Sequence, residues 1–517
     1  MSKELPDRLS YQDAGLLNFD REKFPHNIGS VGIYEGVIPF EKYLAHVERR
    51  LELVPRYRQR MLRVPLNMSH PLWRDDPNFD LRYHVRAVKL PQPGDDRQLA
   101  HLAGEFFATP LDRNRPLWEM LLVQGLSGGR TAHMAKVHHC MVDGVAGVQL
   151  LAALLDSEPN ARRSPRRRTE RPAQPLPGRA SLLVDALFEE VLELTDTAER
   201  LALGLVHPTS LVQWGRSVGG ALWAARSYFT SAAPSTPWST RLTSPRRLAW
   251  QRVPFAEARE ISSALGGTVN DVVLTVLAGA LGRYLDLHGW ETDGLTVRVL
   301  IPVNVRTKEE EHTLGNRVSF MLAGLPMDVP DPVARFQAIH REVTSLKKRD
   351  QAGGVDDLLR AVGRLPAPIQ GLLGARLSAP NFLVNLICTN VPGPLTPLYC
   401  LGHRLIDHYP WVLATWRMGL SVAVMSYNEG LYYALTADAG VLPDLERLAG
   451  FLGDAFRELH EAAAKRERRG VPAAAEEAAR ATPVRAGKDG ASAEAGVRVV
   501  AAAEHPVARE GQAPHGA

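Results

Sequence analysis

Apolar side chains along this chain change their spacing several times, and each change marks an element. From Thr131 to Val137 polar and apolar residues alternate loosely, the period of a half-buried strand. Past Gly144, residues Val145, Val148, Leu151, Ala152 and Leu155 recur at three- and four-residue steps, which predicts a helix. A second helical run extends from Asn270 to Tyr284. Two further stripes predict helices mid-chain: Leu183, Leu187, Val191, Leu194, Ala198 and Leu201, then Leu211, Trp214, Val218, Leu222 and Ala225. Ahead of them Arg162, Arg163 and Arg166 to Arg168, followed by Pro172, Pro175 and Pro177, fit neither period and read as a crossover linker. Beyond about residue 466 the chain is Ala, Glu and Arg with few large apolar residues, a composition that predicts a disordered tail.

These shifts divide the chain into residues 1–156, 157–244, 245–465 and 466–517. The first and third parts mix strand and helix patterns, the second is the linker with its helices, and no short repeat is visible. The linker stripes either pack on the body of the protein or rest on a membrane surface, where Trp223, Arg216, Arg226 and the upstream arginines would suit anionic lipid.

With 517 residues, 45% hydrophobic, the chain can bury two substantial cores. A net charge of +4 is too mild for a dedicated nucleic-acid binder. Cys140, Cys388 and Cys400 lack CxxC spacing and suit a reducing compartment. The amino terminus has no signal-peptide h-region, and no uninterrupted apolar run approaches the roughly 18 residues of a membrane helix. The expected location is therefore cytoplasmic.

The candidate chemistry sits where the predicted strand ends. His138-His139-Cys140-Met141-Val142-Asp143-Gly144 places two histidines and an aspartate at a strand-to-helix junction. Adjacent strand residues point to opposite faces, so one histidine of the two should face a given site. A neutral imidazole, with a reference pKa of about 6.5, can take a proton from a hydroxyl or thiol. Such a pair standing alone would more often be structural. Metal binding fits poorly, since the two rings diverge and no nearby Cys or Glu completes a set. Nothing marks Cys140 as an activated nucleophile.

The seven-residue pattern HHxxxDG resembles the superfamily of chloramphenicol acetyltransferase, plant BAHD acyltransferases and peptide-synthetase condensation domains. Further blocks resemble, in order, the bacterial wax ester synthase/diacylglycerol acyltransferase family. They are Pro116-Leu117-Trp118, Thr268-Val269-Asn270-Asp271, Ile301-Pro302-Val303-Asn304-Val305-Arg306, Leu314-Gly315-Asn316, Asn390-Val391-Pro392-Gly393-Pro394 and Ser426 to Asp438. The resemblance runs from about residue 9 to 465. Phe24-Pro25-His26-Asn27-Ile28-Gly29 departs from the family's Pro-Met-His-Val-Gly, which leaves the acceptor-side contacts of that segment open.

The resemblance implies an α/β (α+β) fold of two chloramphenicol-acetyltransferase-like subdomains, mixed sheets flanked by helices, with a substrate tunnel at their interface. It implies acyl-CoA as donor, no resident cofactor or metal, and diacylglycerol or a fatty alcohol as acceptor. Peripheral contact with a membrane or lipid-body surface would follow from such acceptors. His139 is the expected general base, with His138 and Asp143 completing the catalytic motif and Asp143 orienting its loop. Gly144, Asn270, Asp271, Arg306 and Asn390 are expected to bind substrate. Asn270 either donates a hydrogen bond to the developing oxyanion or caps the helix that follows. Arg306 would meet either a CoA phosphate or Asp143, and Trp118 either packs the core or touches substrate. Amide-forming condensation, non-catalytic acyl binding and thioester hydrolysis are the competing readings. No GxDSL-like carrier site supports the first, and the intact His139 and Asp143 argue against the second.

Overall fold

The computed structural model describes residues 8–10, 13–14, 17, 26–141, 154–160, 176–178, 180–184, 232–240, 242, 245–304, 318–350, 384–412 and 418–468. Asp143, Gly144, Arg306, most of both linker stripes and the tail beyond residue 468 lie outside them.

The chain begins with β1 (Asn27–Tyr34), helix α1 (Phe40–Arg50), a short ribbon of β2 (Gln59–Leu62) and β3 (Leu72–Asp75), and β4 (Val85–Lys89). Helix α2 (Asp96–Ala108), β5 (Trp118–Leu126) and β6 (Arg130–His138) follow. The second half opens with β7 (Arg246–Pro254), α3 (Phe255–Leu265), α4 (Val269–Leu287), β8 (Thr296–Asn304), β9 (Val318–Pro326) and α5 (Pro332–Asp350). It closes with β10 (Leu386–Pro392), β11 (Tyr399–Cys400), β12 (His403–Val412), β13 (Leu420–Tyr427), β14 (Gly430–Asp438) and α6 (Leu445–Arg468). The alternating run at Thr131–Val137 is β6, and the Asn270–Tyr284 run is α4, as their periods predict.

Two six-stranded mixed sheets result, in the orders β11-β12-β1-β6-β5-β4 and β7-β14-β13-β10-β8-β9. Parallel pairs (β4 with β5, β10 with β13 and β8) sit among antiparallel ones. This is the expected mixed-sheet α/β architecture with flanking helices. In the second sheet the adjacent strands β13 and β14 are buried at every position, as strands covered on both faces must be. Helix α4 is apolar nearly all round and lies inside the same core, buried from Asp271 through Gly282.

β12 comes from the second half of the chain yet completes the first sheet, pairing with β1 from Ile28↔Val412 to Tyr34↔Leu405. Register fixes which side chains share a face. Asn27, Gly29, Val31 and Ile33 of β1 lie with Met134, Lys136 and His138 of β6 and with Asp407, Tyr409 and Trp411 of β12. This face meets the second sheet. Tyr409 stacks on Trp250 of β7 with ring centroids 4.9 Å apart and meets Tyr432 of β14 edge-on at 5.2 Å. Helix α2 also reaches the second sheet. A Cβ on Gly104 would stand 2.3 Å from the Arg246 carbonyl oxygen, so only glycine allows this approach. The opposite face of the first sheet carries Gly32, Tyr34, His133 and His408, with Tyr43 of α1 beside His133.

Candidate active site

β6 carries the histidine pair to its end. His138 is the last strand residue, and its N–H donates to the Leu117 carbonyl at 2.9 Å. His139 is held one residue further, its N–H donating to the His26 carbonyl at 2.8 Å. The Cys140 N–H donates to His138 Nδ1 at 3.2 Å, so in a neutral His138 the proton sits on Nε2. The chain then turns, with the Met141 N–H on the His138 carbonyl at 2.9 Å. Cys140 is buried in a small apolar cluster with Leu9, Leu17, Met61, Trp73 and Leu117, which gives its thiol a packing role.

Electrostatics separate His139 from an ordinary histidine. Its imidazole is pushed down to about 4, first by desolvation, against a hydrogen bond to its own main chain, with His138 and His26 adding like charge. The ring is therefore neutral near pH 7, the form that can accept a proton. Three residues before His139, on β6, Lys136 is buried. Its Nζ donates to the carbonyls of Phe106 at 2.8 Å and Thr109 at 2.9 Å, closing the carboxyl end of α2. Glu119, its register partner on β5, lies 3.6 Å away. Burial lowers the lysine to about 8 despite that carboxylate. A lysine and a glutamate inside two apolar strands are the sequence signal of this pair, and it belongs to no motif.

A second group of expected residues meets at the amino end of α4. Thr268 is the N-cap: its Oγ1 accepts from the Asp271 N–H at 3.3 Å, and its own N–H donates to Asp271 Oδ2 at 2.8 Å. Thr268, and not Asn270, is therefore the cap. Asn270 Oδ1 instead accepts a long hydrogen bond from Asn390 Nδ2 at 3.4 Å, where β10 reaches its carboxyl end. The buried Asp271 is engaged within the protein, since Oδ2 also lies 2.9 Å from His340 Nδ1 of α5. Thr268 heads the Thr268-Val269-Asn270-Asp271 block, whose T-x-x-D spacing is the signal of a capping box, whereas His340 belongs to no sequence motif. Gly393 sits where the turn after β10 presses on β13: a Cβ there would meet the Ser426 carbonyl oxygen at 2.2 Å.

Trp118 belongs to the core. It is buried, stacks on His84 at 4.6 Å and donates from Nε1 to the Tyr57 carbonyl at 2.8 Å. Asp13 accepts from Ser10 Oγ at 2.7 Å beside the cluster that holds Cys140. Among the described residues no group of three His, Cys, Asp or Glu is placed to hold a metal ion.

The description "wax ester synthase/diacylglycerol acyltransferase catalytic domain" fits residues 9–273, and "WS/DGAT C-terminal domain" fits residues 314–460. A Mycobacterium tuberculosis protein described as a probable diacylglycerol O-acyltransferase is 32% identical over 458 residues, 88% of this chain and 96% of its own. A second from the same species, also described as a diacylglycerol O-acyltransferase, is 33% identical over 433 residues, covering 80% and 86%. The wax ester synthase/diacylglycerol acyltransferase from Marinobacter aquaeolei VT8 superimposes with a TM-score of 0.64 at 24% identity, over 89% of this chain and all of that one. The first condensation domain of the calcium-dependent antibiotic synthetase superimposes with a TM-score of 0.56 at 15% identity, over 91% and 98%. These two likenesses concern the fold.

Proposed function

Because this chain belongs to the wax ester synthase/diacylglycerol acyltransferase family, we propose that it moves a long-chain acyl group from acyl-CoA to a lipid hydroxyl. Diacylglycerol as acceptor yields triacylglycerol, and a fatty alcohol yields a wax ester. The enzyme is an O-acyltransferase, with acyl-CoA as co-substrate and no resident cofactor invoked.

In this reading His139 is the general base. It takes the hydroxyl proton as the acceptor oxygen attacks the thioester carbonyl carbon, and the carbonyl oxygen gains the negative charge. Collapse re-forms the carbonyl and breaks the C–S bond, and the imidazolium returns the proton to the departing thiolate, releasing CoA. The observation that carries this assignment is a desolvated, neutral His139 held at the strand end by the His26 carbonyl. Asn270 is the proposed oxyanion donor. Its carbonyl oxygen faces Asn390, which leaves its NH2 group for another partner, and it lies in the first turn of α4, where main-chain dipoles favour negative charge. Asn390 then acts by orienting Asn270. His138 is assigned to shaping the turn through Nδ1, and Asp143 to orienting the motif loop. Gly144 and Arg306 stay assigned to substrate binding on the resemblance alone. Asp271 supports the site through the cap that places Asn270.

The proposed tunnel would lie where the two sheets face each other, and would exclude water that could otherwise hydrolyse the thioester. Work at a cytoplasmic membrane or lipid-body surface is part of the same proposal, because the acceptors are insoluble. No single helix among the described residues is long and apolar enough to cross a membrane.

The test is CoA release from palmitoyl-CoA with lipid extraction, for wild type and His139→Ala, offering hexadecanol or a diacylglycerol beside a no-acceptor control. Acceptor-dependent ester that collapses in the variant is the expected result. Release without acceptor would make the protein a thioesterase, and full activity in the variant would remove His139 as base.

A further inference from the structure

Beside the histidine pair, the face that meets the second sheet holds two polar side chains without partners among the described residues. Asn27 is fully buried, and among the described residues neither its Nδ2 nor its Oδ1 has a hydrogen-bond partner. Trp411 is 4% exposed, and its Nε1 likewise has none. A buried amide or indole N–H left unpaired costs on the order of 1–3 kcal/mol, so a site that keeps both has a use for them.

Their placement says which use. Asn27 pairs with His138 across β1 and β6. Because the next pair exchanges the His139 N–H with the His26 carbonyl, Asn27 and His138 form a non-hydrogen-bonded pair, the kind whose side chains lie closest. Trp411 pairs with Gly29, two residues along β1 on the same face, which makes it the diagonal neighbour of Asn27. Beyond Trp411 the face is closed. Phe107 of α2 stacks on its ring at 4.4 Å, and a Cβ on Gly29 would meet Phe107 Cε1 at 2.6 Å. On the other side of Asn27 lies the row of the histidine motif.

We propose that the Asn27 carboxamide and the Trp411 indole N–H form a seat for an ester carbonyl of the acceptor lipid, and that this seat selects diacylglycerol over a plain alcohol. The inference rests on the acyl-transfer reading above and deepens it. Both groups donate, and a carbonyl oxygen accepts two hydrogen bonds. Diacylglycerol carries ester carbonyls beside its free hydroxyl, whereas a fatty alcohol offers only methylenes there and would leave both donors unpaired. Sites built to hydrogen-bond a substrate group discriminate strongly against analogues that lack it.

The test compares 1,2-diacylglycerol with a 1,2-dialkylglycerol of equal chain length, an ether with the same shape and no carbonyl, using the full chain and palmitoyl-CoA. Wild type should favour the diacyl acceptor in kcat/KM by about tenfold or more. Asn27→Leu, and independently Trp411→Phe, which keeps the stack on Phe107, should bring that ratio close to one, mainly by raising KM for the diacyl acceptor. The ratio is read within one preparation, so a partly folded variant does not distort it. A wild-type ratio of one with good hexadecanol turnover would overturn the seat and leave acyl transfer standing. Variants that keep the wild-type ratio, whether both acceptors are unchanged or fall together, would overturn it too, pointing to a buried water or to a packing role. Wild type that esterifies none of the three acceptors would remove the acyl-transfer reading and the seat with it.

Discussion

Protonating His139 should cost the enzyme its activity far below the pH at which an ordinary histidine would titrate. Burial takes the imidazole from 6.5 to about 4. That is on the order of 3 kcal/mol against the charged ring. At pH 5 about nine-tenths of the ring would be neutral, against about 3% for an unshifted histidine, a difference of about thirtyfold in competent base. The assay is kcat/KM for palmitoyl-CoA at saturating acceptor from about pH 4 to 8, with far-UV circular dichroism at each point. Activity should hold from neutral pH down to about 5 and fall with an apparent pKa near 4. Circular dichroism is needed because His133 and His408, pushed by burial to about 4 and about 3, also resist protonation in the fold. An acid limb at 6.5 or above with the fold intact would refute the desolvation argument. It would mean that a nearby anion holds the proton on the ring once substrate binds.

Lys136→Met should destabilise the protein by about 1–3 kcal/mol in urea unfolding, because it leaves two carbonyls at the end of α2 without their donor while Glu119 keeps its pair with Arg86; an unchanged midpoint would show that the ammonium contributes little. Gly104→Ala should lower stability by about 1–3 kcal/mol, since the new methyl falls against the Arg246 carbonyl. Thermal melting with and without acyl-CoA reads it, and an unchanged melting temperature would contradict the close approach. His408→Gln should flatten stability against pH. The folded pKa of His408 lies below the unfolded one, so the unfolded chain takes up a proton that the folded one refuses, and stability is lost as pH falls from about 6.5 toward 3. Denaturant midpoints across that window should fall less steeply in the variant, with His133, His139 and the other histidines lowered by burial (His46, His70 and His84) contributing to the slope that remains.

Local periods made β6 and α4 legible because each has one face, or nearly all faces, buried in a single regular element. The order of motif blocks led to the fold class, and HHxxxDG led to His138 and His139. What stayed hidden depends on pairing between distant segments. Nothing near Asn27 reveals that it lies across from His138, or that Trp411, almost four hundred residues later, shares its face. Asn270 shows the limit of a local reading: its place at a helix start suits a cap, but Thr268 with Asp271 makes the better box. Trp118 and Cys140 went the way their residue types usually go, into apolar packing.

The strand β12 also has a consequence for biosynthesis. β1 leaves the ribosome with one edge that only β12 can cover, and Val412 follows Ile28 by 384 residues. At about 5–20 residues per second, that edge waits roughly 20–80 seconds for its partner. During this time the nascent first half carries an open, apolar strand edge, the kind of surface that pairs with other chains. A fragment ending before residue 400 should therefore aggregate or bind chaperones, however well its own helices form. The first half becomes complete only when most of the second has been made, so the two halves are inherited and expressed as one folding unit.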